Sequence, residues 1–394
     1  MTAVLVMIPA GEVYDHDCVR WYDYRNVQKS INHYHNIGDA FVHDSSLKLL
    51  NYDRLEVLNI ENVVAADIDR LRNEFDYVFL RGSNYIHADM NWRRADEVLQ
   101  RLRLPVLAFG IGAQAPSKGE LVLSEQTKRV LHQMAESTAS LGVRGAYTAE
   151  VLWRHGIKNV RIVGCPTAFR GLDPDLRITL PPLEQVRKVG LTVRREVSPN
   201  YAPDVERYLN FHRDLVKETA ARFDTVLMSQ GEIEEKAIVL GTPEQKEAAL
   251  ARLREHGWAA RWYMDDEIER LYRERLFYSD VVADYEQLVR GKDLVLGYRL
   301  HGNLMALANG TPSIYFTYDS RTVEFAETFA IPSHHVFADK PFRLEDYWSQ
   351  ALFDRFNRAY YACYREMRTF LDENGIRHKL RASGTAAAPA RRVA

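Results

Sequence analysis

Short apolar runs separated by amphipathic stretches recur along most of this 394-residue chain. In the first half, the runs VLVMI, LEVLNI, DYVFL, PVLAFG and VRIVG begin at positions 4, 55, 76, 105 and 160. In the second half, VGLTV, FDTVLMS, DLVLG and PSIYF begin at positions 189, 223, 293 and 312. Because buried parallel strands are short and apolar and are joined by crossover helices, this alternation predicts an α/β fold with parallel sheets.

The chain is too long for one ordinary core, and one stretch interrupts the rhythm of strands and helices. Residues 170–188 are polar and contain several prolines, which is typical of a linker. We therefore expect two Rossmann-like, doubly wound domains facing each other across a cleft, at 1–175 and 176–380, and a disordered tail at 381–394. The mixed-charge segment from about 232 to 290 is expected to form helices with solvated faces.

Charge and cysteine content argue against several classes of function. The chain has 52 basic and 54 acidic residues, so its net charge gives no support to binding of nucleic acid or a membrane surface. The three cysteines lie far apart without disulfide or metal-ligand spacing, which favours a reducing, cytoplasmic setting and no metal site. No apolar stretch is long enough to span a bilayer, and Pro9 and Gly11 interrupt the N-terminal run, so we expect a first strand there and no signal peptide.

The stretch RLHGNLMALANG at 299–310 follows a predicted strand and brings an arginine and a histidine close together. Ligands of parallel sheets bind beyond the carboxyl ends of the strands. Since side chains alternate along a strand, Arg299 and His301 are expected to point to the same side. A helix predicted to begin near Gly302 adds an N-terminus that attracts anions. The set suits an anionic substrate that must be protonated, although both side chains could instead only bond to strand-end carbonyls.

Other strand and helix ends offer further candidates. Arg194 and Arg195 directly follow the strand that opens the second half, and we expect one to bind an anion and the other to be a surface charge. Asn36 and Gly38 are predicted to form a turn before a helix that starts at Asp39. Asp39 either caps that helix or binds a sugar hydroxyl.

Two glycine-bearing loops also follow predicted strands. FLRGSNY at 79–85 contains Gly82, Ser83 and Asn84, and FGIGAQAP lies at 109–116. Glycine lets a ligand approach the backbone closely. The second loop has only the first two glycines of the dinucleotide fingerprint, so it is weak evidence for NAD.

In their order along the chain, these motifs resemble the polysaccharide pyruvyl transferase family. They are HNIGDAF, the glycine turn after DYVFL, FGIGAQAP, GVRGAYTAEVLWRHGI leading to VRIVGCPT, VGLTVR and LGYRLHGNLMALANGTPSIYFTYD. The resemblance covers about residues 30–330, and the RLH block is its most specific part. It implies two Rossmann-like domains similar to the type B architecture of glycosyltransferases, with the acceptor on the N-terminal side and the donor on the C-terminal side.

The resemblance also implies transfer of a pyruvyl group from phosphoenolpyruvate to hydroxyls of a sugar, usually as a cyclic ketal and without a redox cofactor. By position, Arg299 and His301 match the family's donor-binding arginine and histidine acid. Arg194 matches the arginine that holds the donor's anionic groups. Asp39 becomes the candidate that orients or deprotonates the acceptor. The other candidate substrate-binding residues are Asn36, Gly82, Ser83, Asn84 and Gly302.

The acceptor and two rival functions stay open at the level of sequence. The chain reads RGSNY where the family often has a run of glycines, and GIGAQAP where it has a glycine–proline loop, which bears on the acceptor more than on the reaction. The acceptor is a small glycoside, a polymer or a lipid-linked unit, and the last would need peripheral membrane contact. A glycosyltransferase of the same architecture would use a nucleotide sugar, and a non-catalytic relative would bind a glycan without releasing phosphate.

Overall fold

The computed structural model describes residues 1–7, 13–14, 19–20, 36–58, 60, 63–88, 90–115, 119, 121–199 and 202–384. The predicted tail lies outside the described residues from position 385 onward. No helix within these ranges combines the length and the apolar character needed to cross a membrane.

Helices and strands alternate along most of the described chain, as the apolar runs predict. The strands are β1 Ala3–Met7, β2 Val13–Tyr14, β3 Val19–Arg20, β4 Arg54–Leu58, β5 Tyr77–Leu80, β6 Val106–Ala108, β7 Leu141–Val143, β8 Val160–Ile162, β9 Lys188–Thr192, β10 Asp224–Met228, β11 Leu276–Phe277, β12 Leu294–Gly297, β13 Ser313–Thr317 and β14 Ser333–His335. The α-helices are α1 Ile37–Leu49, α2 Ala65–Glu74, α3 Arg93–Leu102, α4 Glu125–Ser137, α5 Ala146–Arg154, α6 Val205–Arg222, α7 Ile233–Leu240, α8 Pro243–Glu255, α9 Gly257–Trp262, α10 Asp266–Arg275, α11 Val282–Arg290, α12 Leu300–Ala308, α13 Ser320–Phe329, α14 Leu344–Tyr347 and α15 Gln350–Glu373.

The first half of the chain is built on a parallel sheet with the strand order β4-β1-β5-β6. β1 is buried along its whole length, and its Val6 pairs with Val57 on one side and with Phe79 on the other. The parallel pair β7 and β8 adjoins this sheet through a bridge between Ile111 and Val143. Strands covered on both faces must be apolar throughout, which is why they read as continuous apolar runs in the sequence.

The second half is built on a parallel sheet with the order β11-β10-β9-β12-β13-β14. Counted from β9, this is the order 3-2-1-4-5-6 of a doubly wound Rossmann sheet. The strand order reverses between β9 and β12, whose pairing joins Leu191 to Leu296. A crevice forms at such a reversal, beyond the carboxyl ends of the strands, and is where these sheets bind ligands. The expected fold class of two Rossmann-like units is thus confirmed.

The two halves contact each other through backbone and side-chain hydrogen bonds. The amide of Ile37, at the start of α1, donates to the carbonyl of Gln230 at 2.8 Å. The amide of Thr148 donates to the carboxylate of Glu324 at 2.7 Å. The long helix α15 also returns to the first half, where its Phe370 ring packs against Phe109. The predicted domain limits at 175 and 380 stay a prediction.

Charged side chains are buried at two places where the sequence reads as polar. In the mixed-charge segment, α8 and α10 have the expected solvated faces, whereas Glu235 and Lys236 of α7 are fully buried. In the predicted linker, Arg170 is buried and donates to Asp44 at 2.9 Å and to Glu286 at 2.6 Å. Each of these charges can be buried because it meets opposite charges that are distant in sequence, and such pairing leaves no local pattern.

Candidate active site

A cavity lies where the carboxyl ends of strands from both halves meet. It is lined by loops that follow β5, β9, β10, β12 and β13 and by the first turn of α1. Its lining includes Asn36, Asp39, Gly82, Ser83, Asn84, Arg144, Arg194, Gln230, Arg299, His301, Tyr318, Arg321 and Phe325. The crevice at the reversal of strand order between β9 and β12 opens into this cavity, which is where such sheets bind ligands.

Arg299 and His301 both line the cavity, as expected. However, they lie at the start of a helix, so alternation along a strand does not explain their shared direction. β12 ends at Gly297 and α12 begins at Leu300, so Arg299 is the N-cap residue and His301 lies in the first helical turn. The helix therefore begins two residues before the predicted start at Gly302. Both side chains therefore lie at the N-terminus of α12, which attracts anions.

Gly302 is not among the residues that line the cavity, and its expected role in substrate binding stays a prediction. A Cβ atom at this position would lie 2.6 Å from the side-chain nitrogen of Gln230 and 2.9 Å from the methyl group of Thr192. The glycine thus allows α12 to pack closely against the loop after β10 and against β9.

The Arg299 guanidinium is held in a buried ion pair with Glu232. Its Nη2 donates to Glu232 Oε1, and the side chains are 5% and 1% exposed. Its Nε donates to the carbonyl of Val193 at 3.2 Å, and its backbone amide donates to the hydroxyl of Thr192 at 3.0 Å. Arg299 is consequently fixed to the end of β9 and to the loop after β10.

Glu232 remains charged despite complete burial. Burial raises the pKa of its carboxyl, but Arg299 and Arg195 together outweigh burial and hold the pKa below its usual value. Arg195 in turn donates to Glu234 at 2.6 Å and to Glu235 at 2.9 Å. Its side chain is 10% exposed, so the expectation that one of the two arginines after β9 is a surface charge is wrong.

His301 lies between the two halves of the molecule. Its ring packs edge-on against Phe325, and its Nδ1 is close enough to Gly38 that a Cβ there would be 3.1 Å away. Burial lowers the pKa of His301 to about 4; Asp39 raises it, whereas the nearby arginines lower it further. The ligand-free imidazole is therefore neutral near pH 7, in contrast to the protonated state expected from its assigned role.

Asp39 lies in the first turn of α1 and faces the cavity with a partly exposed carboxylate. Asn36 is the N-cap of this helix, since its side chain accepts from the amide of Gly38 at 3.0 Å. The helix thus starts at Ile37, before Asp39, and capping does not use the Asp39 carboxylate. Asp39 instead pairs with Arg81 at 3.3 Å, with side chains 29% and 3% exposed.

Arg194 and Arg321 meet at the hydroxyl of Tyr318. Arg194 Nη1 donates to this oxygen, and Arg321 Nη2 donates to it at 3.3 Å. The Arg194 guanidinium also lies over the Tyr318 ring, 5.3 Å from its centroid. Arg321 has Asp319 as an ion-pair partner at 3.5 Å. One phenol oxygen thereby aligns two cations that come from different strand ends.

The loop after β5 supplies backbone and amide groups to the cavity. A Cβ at Gly82 would lie 2.5 Å from the carbonyl of Phe109, so only glycine lets this loop approach the loop after β6. Ser83 and Asn84 line the cavity beside it, and the Asn84 amide donates to Gln114 at 2.7 Å.

Arg144 adds a buried cation on the side of the first half. Its Nη2 donates to the carbonyl of Ala113 at 3.0 Å, and its Nε lies 3.5 Å from Glu324. Burial lowers the pKa of Arg144 to about 10, so the guanidinium stays charged near pH 7. Gly112 makes room for it, because a Cβ there would overlap the guanidinium.

A sequence model of the polysaccharide pyruvyl transferase family matches residues 36–320, which is most of the chain. The chain belongs to this family. The match contains Asp39, Arg194, Arg299 and His301 and ends one residue before Arg321. As a polysaccharide pyruvyl transferase family member, the protein is a transferase of polysaccharide biosynthesis, and a sugar or glycan acceptor is consistent with that assignment.

Several solved structures are similar to the chain over nearly its whole length. S. aureus MnaA with UDP is 12% identical, with 94% of this chain and 95% of that chain covered and a TM-score of 0.44. Anabaena HepE in complex with UDP and glucose is 11% identical, with 95% and 96% covered and a TM-score of 0.42. UDP-GlcNAc 2-epimerase from Neisseria meningitidis bound to UDP-GlcNAc is 8% identical, with 96% and 96% covered and a TM-score of 0.39. No curated protein sequence matches the chain.

Sequence reasoning missed four residues in or beside this candidate site: Glu232, Tyr318, Arg321 and Arg81 as the partner of Asp39. Tyr318 directly follows β13 and so stands at a strand end, which is a signal that could have identified it. Glu232 is 67 positions from Arg299, and no local pattern links the two.

Proposed function

We propose that the protein transfers a pyruvyl group from phosphoenolpyruvate to hydroxyls of a sugar in a polysaccharide or its precursor, with release of phosphate and without a redox cofactor. The observation that carries this proposal is the convergence of Arg194, Arg299 and Arg321 with His301 on one cavity. A small substrate with two anionic groups and a carbon to protonate fits this combination of cations and imidazole.

The donor would be held by its two anionic groups. Arg194 and Arg321 are aligned by Tyr318, and Arg299 is held by Glu232 at the N-terminus of α12. Guanidinium forks bind carboxylate and phosphate with two parallel hydrogen bonds, and the helix N-terminus adds positive potential. Held in this way, the enol carbons of the donor would lie near His301.

His301 is the proposed acid for the methylene carbon of the donor. The neutral imidazole of the ligand-free site acquires its proton when the donor brings negative charge beside it, since an adjacent anion favours the imidazolium. Proton transfer from His301 to the methylene carbon forms the methyl group and leaves an oxocarbenium-like centre on the neighbouring carbon. The surrounding guanidiniums still neutralise the carboxylate and phosphate at this stage.

The ketal forms in two additions of sugar oxygen. A first hydroxyl attacks the oxocarbenium carbon and gives up its proton, the carbon–oxygen bond to phosphate breaks, and a second hydroxyl of the same sugar closes the ring. One of the two hydroxyl protons restores His301 and the other leaves with phosphate. Asp39 is the proposed residue that orients or deprotonates the acceptor, because its carboxylate is partly exposed and faces the same cavity as His301.

The test is a turnover assay with phosphoenolpyruvate and a panel of oligosaccharides. We expect phosphate release that depends on the acceptor, together with a product whose new methyl group carries one deuterium when the reaction is run in D₂O. His301→Asn should abolish turnover and keep donor binding. Acceptor-independent phosphate release, or full turnover by His301→Asn, would refute the proposed chemistry.

A further inference from the structure

A second pocket, separate from the candidate active-site cavity, shares Arg194 with it. Its volume is about 440 Å³, and its lining runs from Arg194 to Ser198 and from His256 to Ala259. This volume is within the range of about 300–1,000 Å³ typical of small-molecule sites. Because Arg194 lines both spaces, the pocket and the cavity adjoin at this side chain.

The pocket presents a solvent-exposed indole, that of Trp258, which is 39% exposed. Gly257 precedes it with a φ of 71°, a conformation that glycine adopts without strain and that permits the abrupt turn from α8 into α9. On the buried side of α9, Ala259 packs into the core, and the carbonyl of Trp262 accepts from Arg213 at 3.3 Å. The indole is therefore displayed on an anchored helix, although its burial would be favourable.

Exposure of an aromatic ring does not by itself indicate a binding site, and Trp258 is distinguished by its position. Among the described residues, Trp153, Trp258 and Tyr361 are the large aromatic side chains with the greatest exposure. Trp153 lies on α5 and lines no pocket described here, and Tyr361 lines a groove that shares no residue with the cavity. Trp258 differs from both in its connection to the proposed reaction centre through Arg194.

The chemistry of the pocket suits a saccharide. A pyranose ring has an apolar face of C–H groups, which packs on an indole, and a rim of hydroxyls, which needs hydrogen-bonding partners. Residues with such partners line the pocket together with Trp258: Glu196 has a carboxylate, Ser198 a hydroxyl and His256 an imidazole. A nucleotide base would also stack on the indole, and UDP titrated on the same proteins distinguishes that case.

We propose that this pocket binds a saccharide unit of the acceptor glycan next to the unit that receives the pyruvyl group. The inference rests on the proposed function, because it takes the cavity as the reaction centre. It assigns the acceptor as at least a disaccharide that runs from Asp39 past Arg194 to Trp258. The N-terminal half then holds the modified unit, and the C-terminal half holds its neighbour.

The test uses an array of immobilised di- to tetrasaccharides of gluco, galacto and manno configuration, followed by calorimetric titration of the strongest binder. We expect the wild type to bind at least one oligosaccharide and Trp258→Ala to bind it about tenfold or more weakly, whereas Trp258→Phe keeps most of the affinity. Trp153→Ala is the matched control and should bind like the wild type. Ser198→Trp, which fills the pocket and leaves Trp258 in place, should also lose binding and serves if Trp258→Ala does not fold.

The possible results distinguish failure of the saccharide site from failure of the proposed donor. Absence of oligosaccharide binding by the wild type, or equal binding by the wild type and both pocket variants, would overturn the subsite. Phosphoenolpyruvate affinity is measured on the same proteins and should be unchanged by the substitutions. If the wild type binds a glycan through Trp258 but does not bind phosphoenolpyruvate, the proposed donor is contradicted and the saccharide site is still supported.

Discussion

The guanidinium of Arg299 donates to the carboxylate of Glu232, and both side chains are almost completely buried. Removal of one partner from such a pair leaves an uncompensated buried charge. We therefore expect Glu232→Gln to lower the free energy of unfolding by about 3–5 kcal/mol. Denaturant titration with and without phosphoenolpyruvate measures the effect.

Phosphoenolpyruvate should stabilise Glu232→Gln more than it stabilises the wild type, because the anionic donor replaces part of the lost negative charge beside Arg299. The double variant Arg299→Leu, Glu232→Leu is the control: it should regain stability and fail to bind the donor. Wild-type stability in Glu232→Gln would show that the pair does not fix Arg299.

Tyr318→Phe should weaken donor binding without unfolding the site. The ring that lies under Arg194 is kept, and the oxygen that accepts from Arg194 and Arg321 is lost. A hydrogen-bond acceptor shared by two charged donors is worth about 1.5–3 kcal/mol, so the Kd for phosphoenolpyruvate should rise about tenfold or more. An unchanged Kd in calorimetry would remove Tyr318 from the donor site.

Gly38→Ala should separate activity from stability. A Cβ at Gly38 would lie 3.0 Å from Gln230 Oε1 and 3.1 Å from His301 Nδ1, so the imidazole must shift. Alanine within a helix is favoured over glycine by about 0.5–1 kcal/mol, which offsets some of the crowding. We expect turnover at least tenfold lower with a melting temperature close to that of the wild type. Normal turnover would show that His301 does not need its present position.

His212 makes stability depend on acidity. Its ring nitrogens have no hydrogen-bond partner among the described residues, its ring lies 4.4 Å from that of Tyr298, and burial lowers its pKa to about 3. Between about pH 6.5 and pH 3 the unfolded chain binds a proton that the folded protein does not, so the wild type loses stability as pH falls through this window.

His212→Phe removes the group that binds this proton in the unfolded chain and keeps the aromatic packing. Between pH 7 and pH 5, the variant should lose about 2 kcal/mol less stability than the wild type, as measured by urea denaturation. Equal losses in the two proteins would mean that His212 is protonated in the folded state.

The titration of His301 tests the proposed proton transfer. Its pKa of about 4 in the ligand-free site should rise when phosphoenolpyruvate binds, because the donor adds negative charge beside a ring that burial and the arginines keep neutral. The imidazole signal in NMR, assigned through His301→Asn, reports this pKa with and without the donor. A pKa that does not move on donor binding would argue against His301 as the acid.

Local patterns predicted the strands and the strand-end residues well, because both follow from burial along a parallel sheet. The run DLVLG contains β12, and Arg299 and His301 do follow it. The same patterns could not predict the buried pairs of Arg299 with Glu232 and of Arg81 with Asp39. A run of charged residues is interpreted as a solvated face unless its ion-pair partners are known. Glu234 and Glu235 of α7 pair with Arg195, which lies in the loop after β9.

The most direct test of the central claim is calorimetric titration with phosphoenolpyruvate, run beside UDP and UDP-glucose. The account predicts saturable binding of phosphoenolpyruvate alone, and a Kd raised about 30-fold or more in Arg299→Ala, whose fold is checked by circular dichroism. Arg358→Ala, outside the cavity lining, is the matched control and should bind like the wild type. Binding of UDP with no binding of phosphoenolpyruvate would contradict the account, since Arg299 and His301 would then serve a nucleotide-sugar enzyme.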